Sequence, residues 1–377
     1  MERIQTTAIF GTRPEAIKMA PLIRHLQERD LFQVTVCVTG QHREMLDQVL
    51  QLFKIQPDVD LNVMTQGQGL TAVTSRILEG LDGLFNEQRP DLVLVHGDTT
   101  TTFAASLAAF YHRIPVGHVE AGLRTKKKYA PFPEEVNRCL TGVLADLHFA
   151  PTRQAADHLL QEGKPPDSIF VTGNTVIDAL KTTVQEKFFH PVLDRIEGKR
   201  LILLTAHRRE NWGDPMVRIF RAVRRLVDRH PDTAVIFPVH LNPTIQEAAH
   251  RLLGDHERIH LISPLDVAHF HNFIARSHLI LTDSGGVQEE APSLGVPVLV
   301  MRETTERPEG VEAGTLKVVG TDENRLFTAG DRLLRGQREH ERMARAANPY
   351  GDGLASRRIA NGILYYFGKR EEPPAPF

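Results

Sequence analysis

The stretch Leu281-Thr282-Asp283-Ser284-Gly285-Gly286-Val287-Gln288-Glu289-Glu290 carries an apolar strand pattern through a Ser-Gly-Gly turn into a helix. A helix start offers free N–H groups and roughly half a positive charge, so Ser284, Gly285 and Gly286 predict a phosphate site. The two glycines let the backbone approach an anion closely. Glu290, one to two turns further on, is placed to accept bonds from ribose hydroxyls. A second segment, Phe10-Gly11-Thr12-Arg13-Pro14-Glu15, ends an earlier strand pattern, and Pro14 suits the first helical position. Arg13 there can grip a phosphate with two parallel bonds, or else pair with Glu15 at the surface. Arg307, in Thr304-Thr305-Glu306-Arg307-Pro308, follows another strand and could reach the same phosphates.

Carboxylates also gather after strands. Asp98 sits in His96-Gly97-Asp98-Thr99-Thr100, and Glu120 in Gly117-His118-Val119-Glu120-Ala121-Gly122. Glu134 and Glu135 follow Pro133 in a first helical turn. Taken singly, Asp98 reads as a helix N-cap and the Glu134–Glu135 pair as dipole compensation. Asp98, Glu120 and a third carboxylate from the Glu134–Glu135 turn, taken with His207 of Thr205-Ala206-His207-Arg208-Arg209-Glu210, form an acid/base set of three carboxylates and a histidine. His240 stands at a further strand end. No HExxH or comparable ligand pair occurs, so no metal is expected. The chain lacks GxGxxG and GxSxG, which argues against a nicotinamide cofactor and a serine nucleophile. Cys37 and Cys139 lie about a hundred residues apart with no metal-ligand spacing and read as reduced thiols.

The elements that must position these residues are short apolar runs at 7–10, 34–39, 92–96, 116–119, 201–205, 234–239, 279–282 and 298–301. Amphipathic stretches at 16–28, 102–112, 216–229, 244–253 and 266–275 alternate with them. Alternation of this kind predicts βαβ units, and continuous apolar strands predict parallel sheets covered on both faces. It occurs twice, giving an α/β protein of two Rossmann-like domains, 1–174 and 175–354, with the mixed-charge segment 187–199 near the junction. Ligands of such domains bind at the carboxyl ends of strands, and the natural site of a two-domain protein is the cleft between them. The 377 residues suit two cores. A net charge of −2, with 24% charged residues, gives no reason to expect a nucleic-acid surface. No apolar run approaches the ~20 residues that span a bilayer, and no signal peptide is read, so a cytoplasmic enzyme without membrane association is expected.

Taken in order, these segments resemble the non-hydrolysing UDP-N-acetylglucosamine 2-epimerases. The likeness covers nearly the whole chain, from GTRPEAIKMAPL through GQHREML, HGDTTTTFAASLAAF, HVEAGLRT, FPEEVNR, TGNTVIDAL, TAHRREN, PVHLNP, DSGGVQEEAPSLGVPVL and TTERPE to NPYGDG. It implies a GT-B arrangement with UDP held mainly by the second domain, the active site in the interdomain cleft, and a C-terminal helix at 355–370 packing back on the first. It also implies a homodimer, UDP-N-acetylglucosamine and UDP as ligands, no cofactor, and supply of UDP-N-acetylmannosamine for surface polysaccharides.

The family's catalytic residues fall on Asp98, Glu120, Glu134 and His207. Its UDP contacts fall on Arg13, Lys18, Phe270, Ser284, Gly285, Gly286, Glu290 and Arg307. Leu265 stands where many members have Gln. Some bacterial members bind a second substrate molecule as activator, and Gln41, Arg43 and His240 match that region, while Glu44 and Gly67 depart from it. The implied chemistry is elimination of UDP to a 2-acetamidoglucal followed by re-addition, because the hydrogen on carbon 2 has no adjoining carbonyl to acidify it. The competing readings are a glycosyltransferase that needs an acceptor, a hydrolysing epimerase that releases free sugar, and a nucleotide-sugar sensor that does not turn over.

Overall fold

The computed structural model describes residues 2–40, 43–65 and 67–377, with side chains for all of these except 43–45. Among them are thirteen strands: β1 (Ile4–Phe10), β2 (Phe32–Val38), β3 (Val59–Asp60), β4 (Leu92–His96), β5 (Val116–Val119), β6 (Leu147–Ala150), β7 (Ile169–Val171), β8 (Arg200–Thr205), β9 (Thr233–Pro238), β10 (Ile259–Ile262), β11 (Ser277–Thr282), β12 (Val298–Val300) and β13 (Leu316–Val318). At least one helix separates each of these strands from the next. The chain forms two compact units: one runs to Lys181 and takes in Tyr350–Phe377, the other is Thr182–Pro349. Both are α/β and Rossmann-like.

The sheet of the first unit has the order β3-β2-β1-β4-β5-β6-β7, and that of the second β10-β9-β8-β11-β12-β13. Every recorded pairing is parallel, with Thr7 of β1 opposite Thr35 of β2 and Val93 of β4. Parallel strands need covered faces, and the burial agrees: every residue of β4 is buried, as are Leu201–Thr205 of β8. In each sheet the first strand pairs with the second on one side and with a later one on the other. The order therefore reverses between β1 and β4, and again between β8 and β11. A crevice opens at the carboxyl side of such a reversal, which is where this fold holds ligands.

The helices show why the sequence folds this way. In Asp214–Arg229 the buried residues Met216, Ile219, Phe220, Val223, Leu226 and Val227 recur at helical spacing on one face. Each such side chain contributes about 1.5–3 kcal/mol when fully buried. Helix Arg13–Gln27 opens with a capping box, in which Thr12 and Glu15 each bond the other's backbone N–H. Pro14 takes its second position rather than the expected first. Helix Ala355–Tyr366 packs on Arg13–Gln27 within the first unit. Its start is held by Asp178, which accepts from the backbone N–H of Ala355 at 3.1 Å and of Ser356 at 2.8 Å. No described helix is long and apolar enough to cross a membrane.

Candidate active site

In the first unit Glu120, Asp98 and Arg13 follow β5, β4 and β1. Glu120 is a non-glycine residue at φ +63°, a conformation that L side chains adopt at a cost and that clusters at functional sites. Its carboxylate is ion-paired with Lys18 and accepts from Asn174 Nδ2 at 2.8 Å. The buried His96 ring lies beside it, Nε2 being 3.8 Å from the carboxylate, beyond hydrogen-bond range. Burial pushes the His96 pKa down to about 4 against the opposing pull of Glu120, so the ring is neutral near pH 7. His118, also buried, donates from Nε2 to the Gly97 carbonyl at 2.7 Å and is pushed by burial to about 3.

Asp98 is ion-paired with Arg138, and its own backbone carbonyl accepts from Asn137 Nδ2 at 3.0 Å. Burial raises its pKa. Arg138 opposes that rise, while the carboxylates of Glu120 and Glu134 add to it. The N-cap of helix Thr100–Tyr111 is Thr99, whose hydroxyl accepts from the Thr102 N–H, so Asp98 is not serving as a cap. The Glu134–Glu135 pair divides its labour. Glu135 is buried, accepts from the backbone N–H groups of Thr125 and Lys126, and pairs with Arg138 at 3.1 Å. Glu134, the first residue of helix Glu134–Leu144, is half-buried and makes no hydrogen bond or ion pair among the described residues. The surface pair Arg13–Glu15 does not form: Glu15 is buried and bonded elsewhere, which leaves Arg13, the first helical residue, half-buried at the end of β1.

In the second unit His207 follows β8 and Asp283 follows β11, at the reversal of strand order. Asp283 has no exposed surface; its carboxylate meets His207 Nδ1 at 3.0 Å and accepts from the backbone N–H groups of His207 and Arg208, each at 2.9 Å. Burial pushes the Asp283 pKa up, yet the bonds from His207 and the backbone prevail and hold it below the usual carboxylate range. The His207 ring, fixed through Nδ1, leaves Nε2 for another partner and stacks on His240 with centroids 6.2 Å apart.

Ser284 is the N-cap of helix Gly285–Ser293 and makes no capping bond with its side chain. A Cβ on Gly285 would lie 3.7 Å from Arg208 Nη2, and one on Gly286 3.5 Å from Glu290 Oε1. Both are ordinary contacts, so internal packing does not demand glycine at either position. Glycine at a helix start leaves the backbone N–H groups open to close approach by an anion. Glu290 lies 3.8 Å from His271 Nε2, and His271 Nδ1 bonds the Thr183 hydroxyl at 2.7 Å. Phe270 is half-buried on helix Val267–Ala275, and Leu265 packs near it against the same core. Arg307 is ion-paired with Glu289 of the glycine-led helix. Gln41 lies outside the described residues; Arg43 begins helix Arg43–Phe53, with its side chain outside them.

The first unit thus gathers desolvated carboxylates with compensating cations, suited to moving protons and stabilising positive charge. The second gathers open amides and an oriented histidine, suited to a phosphate. Sequence reasoning missed Asn174, Arg138 and Asp283 as site residues. All three lie in segments already singled out: Asn174 and Asp283 after strands, Arg138 four residues beyond Glu134 on one helix face.

The sequence model of the family described as UDP-N-acetylglucosamine 2-epimerase matches residues 24–364. A UDP-N-acetylglucosamine 2-epimerase of Bacillus subtilis is 61% identical over 377 residues, covering 100% of this chain and 99% of that protein. The crystal structure of a putative UDP-N-acetylglucosamine 2-epimerase from Listeria monocytogenes superposes with a TM-score of 0.96 at 57% identity, over 100% of this chain and 99% of that one. That of the Neisseria meningitidis UDP-GlcNAc 2-epimerase bound to UDP-GlcNAc gives 0.86 at 48% identity, over 96% and 100%.

Proposed function

This chain belongs to the UDP-N-acetylglucosamine 2-epimerase family, and from that membership we propose that it interconverts UDP-N-acetylglucosamine and UDP-N-acetylmannosamine by losing UDP to a 2-acetamidoglucal and adding it back. The observation that carries the reading is the trio Asp98 and Glu120, after adjacent strands of one sheet, and Glu134, at the start of the helix that follows, close enough for both glutamates to raise the Asp98 pKa, with Lys18, Asn174 and Arg138 bonded to the first two.

Carbon 2 of the ground-state sugar is not acidic. When the bond from carbon 1 to the phosphate oxygen breaks, UDP leaves with the electron pair and the sugar becomes oxocarbenium-like. A carboxylate then removes the carbon 2 proton, and the double bond between carbons 1 and 2 forms. In return, a proton arrives on the opposite face of carbon 2 and the UDP oxygen attacks carbon 1. Asp98, Glu120 and Glu134 supply the base and the acid. Arg13, Lys18, Phe270, Ser284, Gly285, Gly286, Glu290 and Arg307 hold UDP, and His207, oriented by Asp283, stabilises it as it departs. Gln41, Arg43 and His240 would take a second, activating substrate molecule.

The working unit is a cytoplasmic homodimer. Supporting this, helices Thr100–Tyr111 and Glu134–Leu144 pack side by side and expose Phe110 (58%), Tyr111 (68%) and Val143 (69%), an apolar surface of the kind that marks protein contacts. Incubation with UDP-N-acetylglucosamine in heavy water, read by mass spectrometry and NMR, should place deuterium at carbon 2 of both epimers; product without deuterium would sink the elimination route.

A further inference from the structure

Glu15 is 2% exposed, yet its carboxylate is among the most heavily bonded in the chain. One oxygen accepts from the backbone N–H groups of Gly11 at 3.1 Å and Thr12 at 2.8 Å, and from the Thr12 hydroxyl at 2.7 Å. The other accepts from the Thr99 hydroxyl at 2.7 Å and lies 3.1 Å from that of Thr102. The first set belongs to the turn after β1, which carries Arg13; the second belongs to the turn after β4, which carries Asp98. These are the two strands between which the order of the sheet reverses. A local capping box needs only the first set. The second spans 84 residues of sequence and joins separate turns.

The same joint is closed from the other side. A Cβ on Gly11 would meet Thr39 Oγ1 at 2.0 Å and Thr101 Oγ1 at 2.7 Å, and those two hydroxyls bond one another at 3.0 Å. Burial raises the Glu15 pKa, against the pull of the threonine and backbone donors. Leaving such a group buried is unfavourable unless every bond is made.

We propose that Glu15 is a positioning residue for the reaction: its buried carboxylate clamps the turn bearing Arg13 to the turn bearing Asp98 and so fixes the phosphate-gripping guanidinium relative to the proton-handling carboxylate. The inference rests on the functional reading above. Misplacement of a catalytic group by about 1 Å can cost on the order of a hundredfold in rate.

Glu15→Gln keeps the shape but replaces one accepting oxygen with a donor, so one turn is released. The folded variant is expected to lose about tenfold to a hundredfold in kcat for UDP-N-acetylglucosamine. Thr99→Val removes the shorter bond on the β4 side of the clamp, leaves the Thr12–Glu15 capping box intact, and serves if Glu15→Gln does not fold; because it also strips the N-cap of helix Thr100–Tyr111, its kcat is read per folded molecule. It should lose kcat to a similar extent, while Thr99→Ser, which keeps the hydroxyl, restores it. A purely structural role would lower the melting temperature of Glu15→Gln and Thr99→Val but leave kcat per folded molecule at the wild-type value, and Thr99→Ser, which keeps the cap, would restore the melting temperature with no kcat to recover. That result, with an active wild type, overturns the clamp alone. An inactive wild-type chain would bring down the functional reading and the clamp with it.

Discussion

At the end of β4 in the first unit, Asp98 is buried against Arg138, its pKa raised by desolvation. At the end of β11 in the second, Asp283 is buried too, yet its pKa is lowered, because it accepts from His207 and from backbone N–H groups. The two aspartates occupy matching places, on the strand that pairs with the first strand at the reversal of order. One carboxylate meets a guanidinium; the other spends its bonding capacity on holding a histidine. The contrast extends outward. At and just beyond the first unit's strand ends stand Glu120, Lys18, His96 and Glu15, buried or half-buried, and the second's are followed by glycines at which a Cβ meets only ordinary contacts. Shared topology fixes where a site forms, and the balance of burial and bonding decides whether that site moves protons or grips an anion.

Removing one carboxylate of the first unit tests the contrast hardest. Glu120→Gln or Asp98→Asn should cut turnover about a thousandfold, as expected for loss of an acid/base group, while calorimetry finds UDP affinity nearly unchanged. Near-normal turnover in both would remove them from the reaction.

Acid should separate the units next. His96, His118 and His148, all buried in the first unit, have pKa values pushed down to about 4, 3 and 4. The unfolded chain binds these protons near pH 6.5 and the folded one does not, so stability is full above that pH and falls as pH drops toward 4. The loss is about 3 kcal/mol each for His96 and His148 and about 5 kcal/mol for His118 once both states are protonated. The second unit has one such histidine, His278, also pushed to about 4, against three in the first, so hydrogen exchange followed from pH 7 to pH 5 should show the first unit opening more readily than the second. Equal protection loss in both would contradict the assignment.

Smaller effects are expected in the second unit. Gly286→Ala should weaken UDP binding about tenfold to a hundredfold without unfolding the chain, since the added Cβ meets only an ordinary contact within the protein. Unaltered UDP affinity would show that the helix start is not the phosphate site. Asp283→Asn should lower kcat about tenfold by freeing His207 to turn, with UDP binding retained; a variant with unchanged kcat would relieve Asp283 of that role.

Much of this contrast was legible in the amino-acid order. Asp98, Glu120, His207 and Ser284 stand immediately after apolar runs, and a parallel sheet delivers such residues to one edge whatever the details of packing. What the order could not disclose was pairing between distant segments. The nearness of Glu15 to Arg13 suggested a surface pair, but its partners Thr99 and Thr102 lie more than eighty residues away. Arg138 could equally have paired with Glu134 by helical spacing; it bonds Asp98 and Glu135. β3 spans two residues, too few for any periodicity to register.

The helix Ala355–Tyr366 completes the first unit, although 168 residues of the second, Thr182–Pro349, are made before it. On the ribosome the second unit has its whole sequence available first. The sheet that carries Asp98 and Glu120 meanwhile waits for the helix that covers Arg13–Gln27 and satisfies Asp178. The unit that holds Asp98 and Glu120 is therefore finished last, and a nascent chain stalled before Ala355 would have the sequence of its glycine-led helix and His207 complete while the half that carries those carboxylates stays unfinished.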